Sequence, residues 1–239
     1  MRESIFVGFD PREAAAFLVT VSSIRRHLSR RISIVGLELD DLRRSGLYTR
    51  PTIFNNGRLL DTISEHPMST EFAISRFLVP TLAGKGWALF LDCDMLVLSD
   101  LADLFDLADD SYAVMCVKHN HDPNNTTKMG GQLQSTYFRK NWSSVCLFNC
   151  DHPANKSLTT HLVNSARGLH LHQFCWLEDK DIGALPSEYN FLVGTDTPTD
   201  IPPKIAHYTE GTPDLPGYET APYADLWRSE LRKSAHLFL

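Results

Sequence analysis

The sequence predicts one α/β domain across residues 1–239, with a mixed, mainly parallel sheet flanked by helices. Three observations carry that expectation. The chain opens with a strand, helix, strand alternation, a compact apolar run follows at residues 87–91 behind Gly84 and Gly86, and further short strand-like runs recur as far as residue 208. Such a Rossmann-like, doubly wound sheet binds ligands beyond the carboxyl ends of its strands.

Residues 4–9 form the first apolar run, which sets Gly8, Phe9 and Asp10 at a ligand-facing strand end. Asp10-Pro11 then caps a helix whose apolar positions, Ala14, Phe17, Leu18, Val21 and Ile24, recur at helical spacing, and residues 32–37 supply a second, β-branched strand. Residues 38–67 are polar, keep no sustained period and contain Asn55-Asn56-Gly57, so a long irregular segment bordering the site is expected. Order resumes with a helix over residues 69–82 and a central buried strand at 87–91. Strands at 112–117 and 145–149, a Gly-containing lid or acceptor wall at 119–135, and a helix over 155–166 follow. The last third is rich in proline turns and ends in a C-terminal helix over residues 222–236, with Leu226, Trp227 and Leu231.

With 43% hydrophobic and 22% charged residues, the chain can bury a full core. Its net charge of −6 gives no electrostatic footprint for nucleic acid. The start, Met-Arg-Glu-Ser, lacks a secretory pattern and no apolar stretch approaches a membrane span, which sets a cytoplasmic expectation. The basic, amphipathic terminal helix, with Arg228, Arg232 and Lys233, adds a peripheral contact with the inner face of the membrane as a minority reading. Cys93, Cys116, Cys146, Cys150 and Cys175 are odd in number and scattered, so mostly buried thiols are expected rather than disulfides or a zinc knuckle. The histidine clusters His119-Asn120-His121-Asp122 and His170-Leu171-His172 lack zinc spacing, and Met129-Gly130-Gly131-Gln132 is weak evidence for a phosphate cradle.

Asp92-Cys93-Asp94 directly follows the central apolar run. Strand alternation points Asp92 and Asp94 one way and Cys93 the other, so two carboxylates share a small volume. A cation relieves their repulsion, and oxygen ligands suit Mg²⁺ or Mn²⁺. A capping or solvated role is the alternative. His207, after the apolar residues 205–206, offers a third ligand that favours Mn²⁺, although a lone histidine is more often structural.

Three stretches in order, Ser75-Arg76-Phe77-Leu78-Val79-Pro80, then Leu89-Phe90-Leu91-Asp92-Cys93-Asp94-Met95, then Asp100-Leu101-Ala102-Asp103-Leu104-Phe105, resemble the core block of glycosyltransferase family 8. Weaker echoes follow at Asn149, Gln173, Leu185-Pro186, Tyr189-Asn190 and His207-Tyr208-Thr209. The resemblance implies a GT-A fold, a UDP-sugar donor, retention of anomeric configuration, and Mn²⁺ held by Asp92, Asp94 and His207. It also implies that Gly8, Phe9 and Asp10 approach the nucleoside, that Arg76 steadies the nucleotide or its phosphates, and that Ser144 hydrogen-bonds a sugar. Asp94 and Gln173 are the residues it places nearest the chemistry.

Two departures stand out. The family's lysine after the histidine turn is replaced by Glu210-Gly211-Thr212-Pro213-Asp214, which leaves Lys128, Arg139, Lys140 and Lys204 as candidate diphosphate cations. The family's Asp-Gln-Asp reads His172-Gln173-Phe174, which unsettles the donor sugar. The expected partners are a nucleotide sugar and an acceptor glycan or lipid-linked glycan. A sugar-nucleotide-binding protein without turnover is the competing function, with a nucleotidyltransferase behind it because no Gly- and Lys-rich signature follows the first strand.

Overall fold

The computed structural model describes residues 2–55, 58–119 and 139–234. The expected α/β architecture is present. Strand β1 (Glu3–Gly8) pairs in parallel with β2 (Ser33–Leu37) on one side and with β6 (Trp87–Leu91) on the other, and helix α1 (Ala14–His27) connects β1 to β2. All five residues of β6 are buried, which explains its unbroken apolar run. With β8 (Val114–Cys116), β9 (Val145–Asn149) and β10 (Ile182–Ala184), the sheet runs β10-β8-β9-β6-β1-β2. Only β9 is antiparallel to its neighbours. Because β2 and β6 leave β1 on opposite sides, the crevice at the carboxyl ends of β1 and β6 is a topological switch point, where nucleotides bind in open α/β sheets.

A smaller sheet crosses that end of the molecule in the order β11-β12-β7. It consists of β7 (Met95–Val97), β11 (Phe191–Leu192) and β12 (Ile205–His207). Val19, Leu96, Ala206, Tyr208 and Trp227 form its apolar backing. Trp227 belongs to helix α7 (Ala224–Ser234), which is pinned to α1 where Glu230 accepts from Ser22 at 2.5 Å and from Arg26 at 2.7 Å. The terminal helix thus buries Trp227 and Glu230 against the domain and leaves Leu226 exposed. No helix among the described residues is long and apolar enough to cross a membrane.

Three sequence expectations change. Residues 38–67 are not irregular: they hold α2 (Leu39–Arg44) and an antiparallel meander of β3 (Thr52–Asn55), β4 (Arg58–Asp61) and β5 (His66–Pro67). The meander lacks the usual alternation because Ile53 and Phe54 are both exposed, Phe54 at 73%. The helix expected over 69–82 is a 3₁₀ turn at Ser75–Leu78 followed by α3 (Val79–Ala83). Pro80 has no N–H to bond back into the preceding turn, so it sits in the first turn of a new helix. The helix expected over 155–166 likewise divides into a 3₁₀ turn at Pro153–Ser157 and α5 (Thr160–Ser165), whose start is fixed by Thr159 Oγ1 accepting from Leu162 N. Two shorter helices are α4 (Ala102–Phe105) and α6 (Gly168–His172). The 120–138 part of the expected lid, with His121, Lys128 and Met129-Gly130-Gly131-Gln132, lies outside the described residues, as do 235–239.

Candidate metal centre and adjoining cleft

Asp92, Cys93 and Asp94 lie in the bend between β6 and β7 rather than in a strand, so the bend, and not strand alternation, brings the two carboxylates together. Three clamps hold it. Asp92 N donates to Ser144 O at 3.0 Å, and Tyr208 N donates to Asp94 O at 2.9 Å. From beneath, Thr20 Oγ1 of α1 lies 2.6 Å from Cys93 O and 2.7 Å from Met95 O, and accepts from Met95 N. Cys93 is buried, and its Sγ donates to Glu13 Oε2 at 3.0 Å.

His207 arrives opposite Met95 in the β12–β7 register. One ligand atom each from Asp92, Asp94 and His207 lies within 4.8 Å of the others, as a three-ligand cation site requires. His207 Nε2 is 3.2 Å from Asp94 Oδ1 and 4.0 Å from Asp92 Oδ2. The neighbouring hydrogen bonds fix the histidine's tautomer. Ser144 Oγ donates to Asn141 O at 2.8 Å and accepts from Asn190 Nδ2 at 2.9 Å. Asn190 Oδ1 is therefore the acceptor 2.8 Å from His207 Nδ1, which must carry the proton. In neutral His207 the Nε2 lone pair then confronts the Asp94 carboxylate, an arrangement of acceptors that calls for a cation between them.

The electrostatics agree. Burial, with Asp94 beside it, pushes Asp92 up to about 6 despite the attraction of Arg76 and His207. Burial opposes a proton on His207, yet Asp94 and then Asp92 outweigh it and raise its pKa. Asp92 Oδ1 and Asp94 Oδ1 are both buried and accept no aligned hydrogen bond. Two buried carboxylates that Arg76 only partly offsets fit a divalent cation.

Arg76 is buried beside the bend. Its Nη1 donates to Ser143 O at 2.9 Å and lies 2.7 Å from Asp92 Oδ1, while its guanidinium carbon sits 4.9 Å from the centre of the Phe90 ring. It holds Asp92 in place. Asp10 is wholly buried: its carboxylate accepts from Arg12 Nη2, Arg12 N and Glu71 N at 2.6, 2.9 and 3.0 Å, which hold it below the usual carboxylate range against the effect of burial. Phe9 stacks edge-on with Phe17. Gly8 is required by packing, since a Cβ there would come within 2.4 Å of the Phe72 ring.

A cleft of about 220 Å³ opens over the metal centre, lined by Glu13, Arg76, His172, Thr209 and Ser143–Ser144 among others. Glu13 is pushed up to about 7 by burial and by Asp94. His172 Nδ1 meets Ser143 Oγ at 2.7 Å, and burial, then Arg76, press its pKa down to about 3. Gln173 follows at the end of α6; its side-chain oxygen lies 3.8 Å from Cys175 Sγ, and it is not part of the cleft lining. None of the described candidate diphosphate cations lines the cleft. Lys204 Nζ is on Tyr189 OH, Arg139 is bound to Gln173 O and Asp179, and Lys140 is buried.

Glu13, Thr20 and Asn190 are the site residues that sequence reasoning did not single out. Thr20 carried a signal, a polar residue on the apolar face of α1 between Val19 and Val21. Asn190 appeared only as an echo in Tyr189-Asn190, and Glu13 looked like an ordinary acidic residue in a helix's first turn.

A second chamber, of about 430 Å³, adjoins the cleft and shares Ser69 and His172 with it. The β4–β5 segment forms one wall and α6 another.

Protein CDI of Arabidopsis thaliana is 45% identical over 234 residues, which make up 96% of this chain and 86% of that protein. The sequence matches no family model. Among solved structures, the bifunctional glycosyltransferase WbbM is similar over 96% of this chain with a TM-score of 0.62 and 17% identity. The glycosyltransferase GlyE of Streptococcus pneumoniae TIGR4 gives 0.60 and 15% over 96% of this chain. The galactosyltransferase LgtC, solved with donor and acceptor sugar analogues, gives 0.60 and 16% over 96%. The chain spans 49% of WbbM and 61% of GlyE, but 95% of LgtC. At these identities the likeness establishes the fold, which is GT-A.

Proposed function

The chain belongs to the family of Protein CDI of Arabidopsis thaliana and has the GT-A fold, and from that premise we propose that it is a metal-dependent glycosyltransferase, similar to family 8, that uses a UDP-sugar. The observation that carries this reading is the Asp92, Asp94, His207 triad at the switch point of the sheet, with one ligand atom from each within 4.8 Å of the others and His207 Nε2 turned toward the carboxylates by Asn190.

Asp92, Asp94 and His207 would hold Mn²⁺ or Mg²⁺, the oxygen-rich set with one imidazole favouring Mn²⁺. Bound there, the cation supplies Lewis-acid neutralisation of charge on a departing diphosphate. Arg76 keeps Asp92 aimed, through Ser143 O and the ion pair. Asn190 holds His207 in the ligating tautomer, and Ser144 in turn orients Asn190. Thus Ser144 serves the metal ligands in this reading, rather than a sugar directly. With Asp10 saturated, Glu13 is the carboxylate that the first strand and helix present to the nucleoside side of the cleft. His172, in the cleft lining, borders the donor sugar in this reading, whereas Gln173 lies outside that lining with its side chain toward Cys175, and retention by front-face attack needs no protein nucleophile.

The test is release of UDP from UDP-sugars with Mn²⁺. Metal-dependent release by the wild type that Asp94→Ala abolishes supports transfer chemistry; binding of UDP with Mn²⁺ but no release of UDP from any donor, with or without acceptors, selects the binding-only alternative.

A further inference from the structure

The chamber beside the metal cleft has a construction that the metal chemistry does not use. Arg50 and Asp61 form a buried ion pair, 2% and 1% exposed, with two hydrogen bonds of 2.8 and 2.6 Å. Charges placed this deep cost desolvation, and an apolar pair of similar size would often serve stability as well. What the pair does is join elements distant in sequence. Arg50 Nη1 donates to Val163 O and Nη2 reaches Ser64 Oγ at 3.2 Å, while Ser64 Oγ accepts from Gly168 N at 2.8 Å. Gly168 packs so closely that a Cβ would lie 2.8 Å from Ile74 Cδ1. The meander and the start of α6 are therefore fixed to one another, and the chamber between them is held open at a set width.

Arg167 immediately precedes Gly168 and lines this chamber. Asp61, the carboxylate in the lining, is already neutralised by Arg50, so Arg167 is the uncompensated formal charge among the lining residues. It is exposed and, among the described residues, its side chain has no hydrogen bond or ion pair in the protein. Met68, Ile74 and Leu169 give the rest of the wall an apolar character suited to the carbon face of a ring. The metal cleft at the switch point takes the nucleotide in the reading above; the chamber shares Ser69 and His172 with that cleft's lining, on the side that borders the donor sugar in that reading.

We propose that this chamber is the acceptor subsite and that the acceptor is anionic: a hydroxylated ring bearing a phosphate or carboxylate that Arg167 binds. The inference rests on the glycosyltransferase reading. A guanidinium pairs with either group, so the probes separate them. Binding of glucose 6-phosphate, glucuronate and glucose is compared by ligand-observed NMR in metal-free buffer, for wild type and Arg167→Gln, with UDP plus Mn²⁺ as a separate binding reference.

The expected result is that one anionic sugar binds about tenfold more tightly than glucose, and that this advantage falls to about threefold or less in Arg167→Gln at unchanged melting temperature. Equal binding of the three sugars, binding of none of them, or an advantage that survives Arg167→Gln overturns the proposal. If that happens while UDP binds with Mn²⁺, the acceptor inference alone fails; if UDP with Mn²⁺ does not bind either, the glycosyltransferase reading fails first.

Discussion

At the carboxyl end of β1, Asp10 is completely buried and its carboxylate accepts four hydrogen bonds, whereas one strand away Asp92 and Asp94 keep buried oxygens that accept no aligned hydrogen bond, with only Arg76 and His207 beside them. The residue type and the place in the sheet are alike; the neighbours differ. Arg12 and the Glu71 amide satisfy Asp10, which becomes part of the scaffold. The bend after β6 instead sets two carboxylates and a histidine against one another, a group that could hold a cation. In the proposed reading, an aspartate at a strand end serves as a ligand where its surroundings leave its charge in excess.

Substitutions should separate the two ends. Asp94→Asn is expected to weaken Mn²⁺ binding by about 100-fold or more, a larger loss than altering an outer partner of a metal ligand, while the metal-free protein melts at the same or a higher temperature because a like-charge contact is removed. Calorimetric titration and a melting curve read both effects. Asp10→Ala should do the reverse: it strands the Glu71 and Arg12 amides and costs about 2 kcal/mol in urea unfolding, with Mn²⁺ affinity nearly unchanged. A large loss of metal binding in Asp10→Ala would erase the distinction between the two ends.

Asn190→Ala tests the tautomer argument with a smaller effect. Losing the acceptor for His207 Nδ1 should weaken Mn²⁺ by about 10-fold, toward the lower end of what outer partners contribute. Asn190→Asp, which keeps an acceptor, should retain more affinity than Asn190→Ala.

A further effect is on pH. His172 has its pKa lowered from 6.5 to about 3 by burial and Arg76, so the unfolded chain takes up a proton that the folded one refuses. Its contribution is present above about 6.5 and is lost as pH falls toward about 3, so melting temperature should drop across that window. His172→Gln should flatten the slope. An unchanged slope would show that His172 does not govern it.

The parts of the molecule legible in the sequence are those where burial writes a pattern. The apolar run of β6, the helical spacing of α1 and the order of Arg76, Asp92, Asp94 and His207 announced the sheet and pointed to the residues that meet over it. The meander escaped because Ile53 and Phe54 face solvent together, and the break at Pro80 turns one apparent helix into two pieces. The roles of Asn190, Thr20 and Glu13 arise from contacts across 17, 73 and 80 residues, which no local pattern can display. The same distance in sequence hides the saturation of Asp10 by Glu71, 61 residues away.

The most direct measurement is titration of Mn²⁺ into wild-type and Asp94→Asn protein, each with and without UDP. One Mn²⁺ per wild-type chain, bound more tightly when UDP is present and lost in Asp94→Asn, is the predicted result. No Mn²⁺ binding by the wild type, or equal binding by both proteins, would contradict the metal centre on which the account rests.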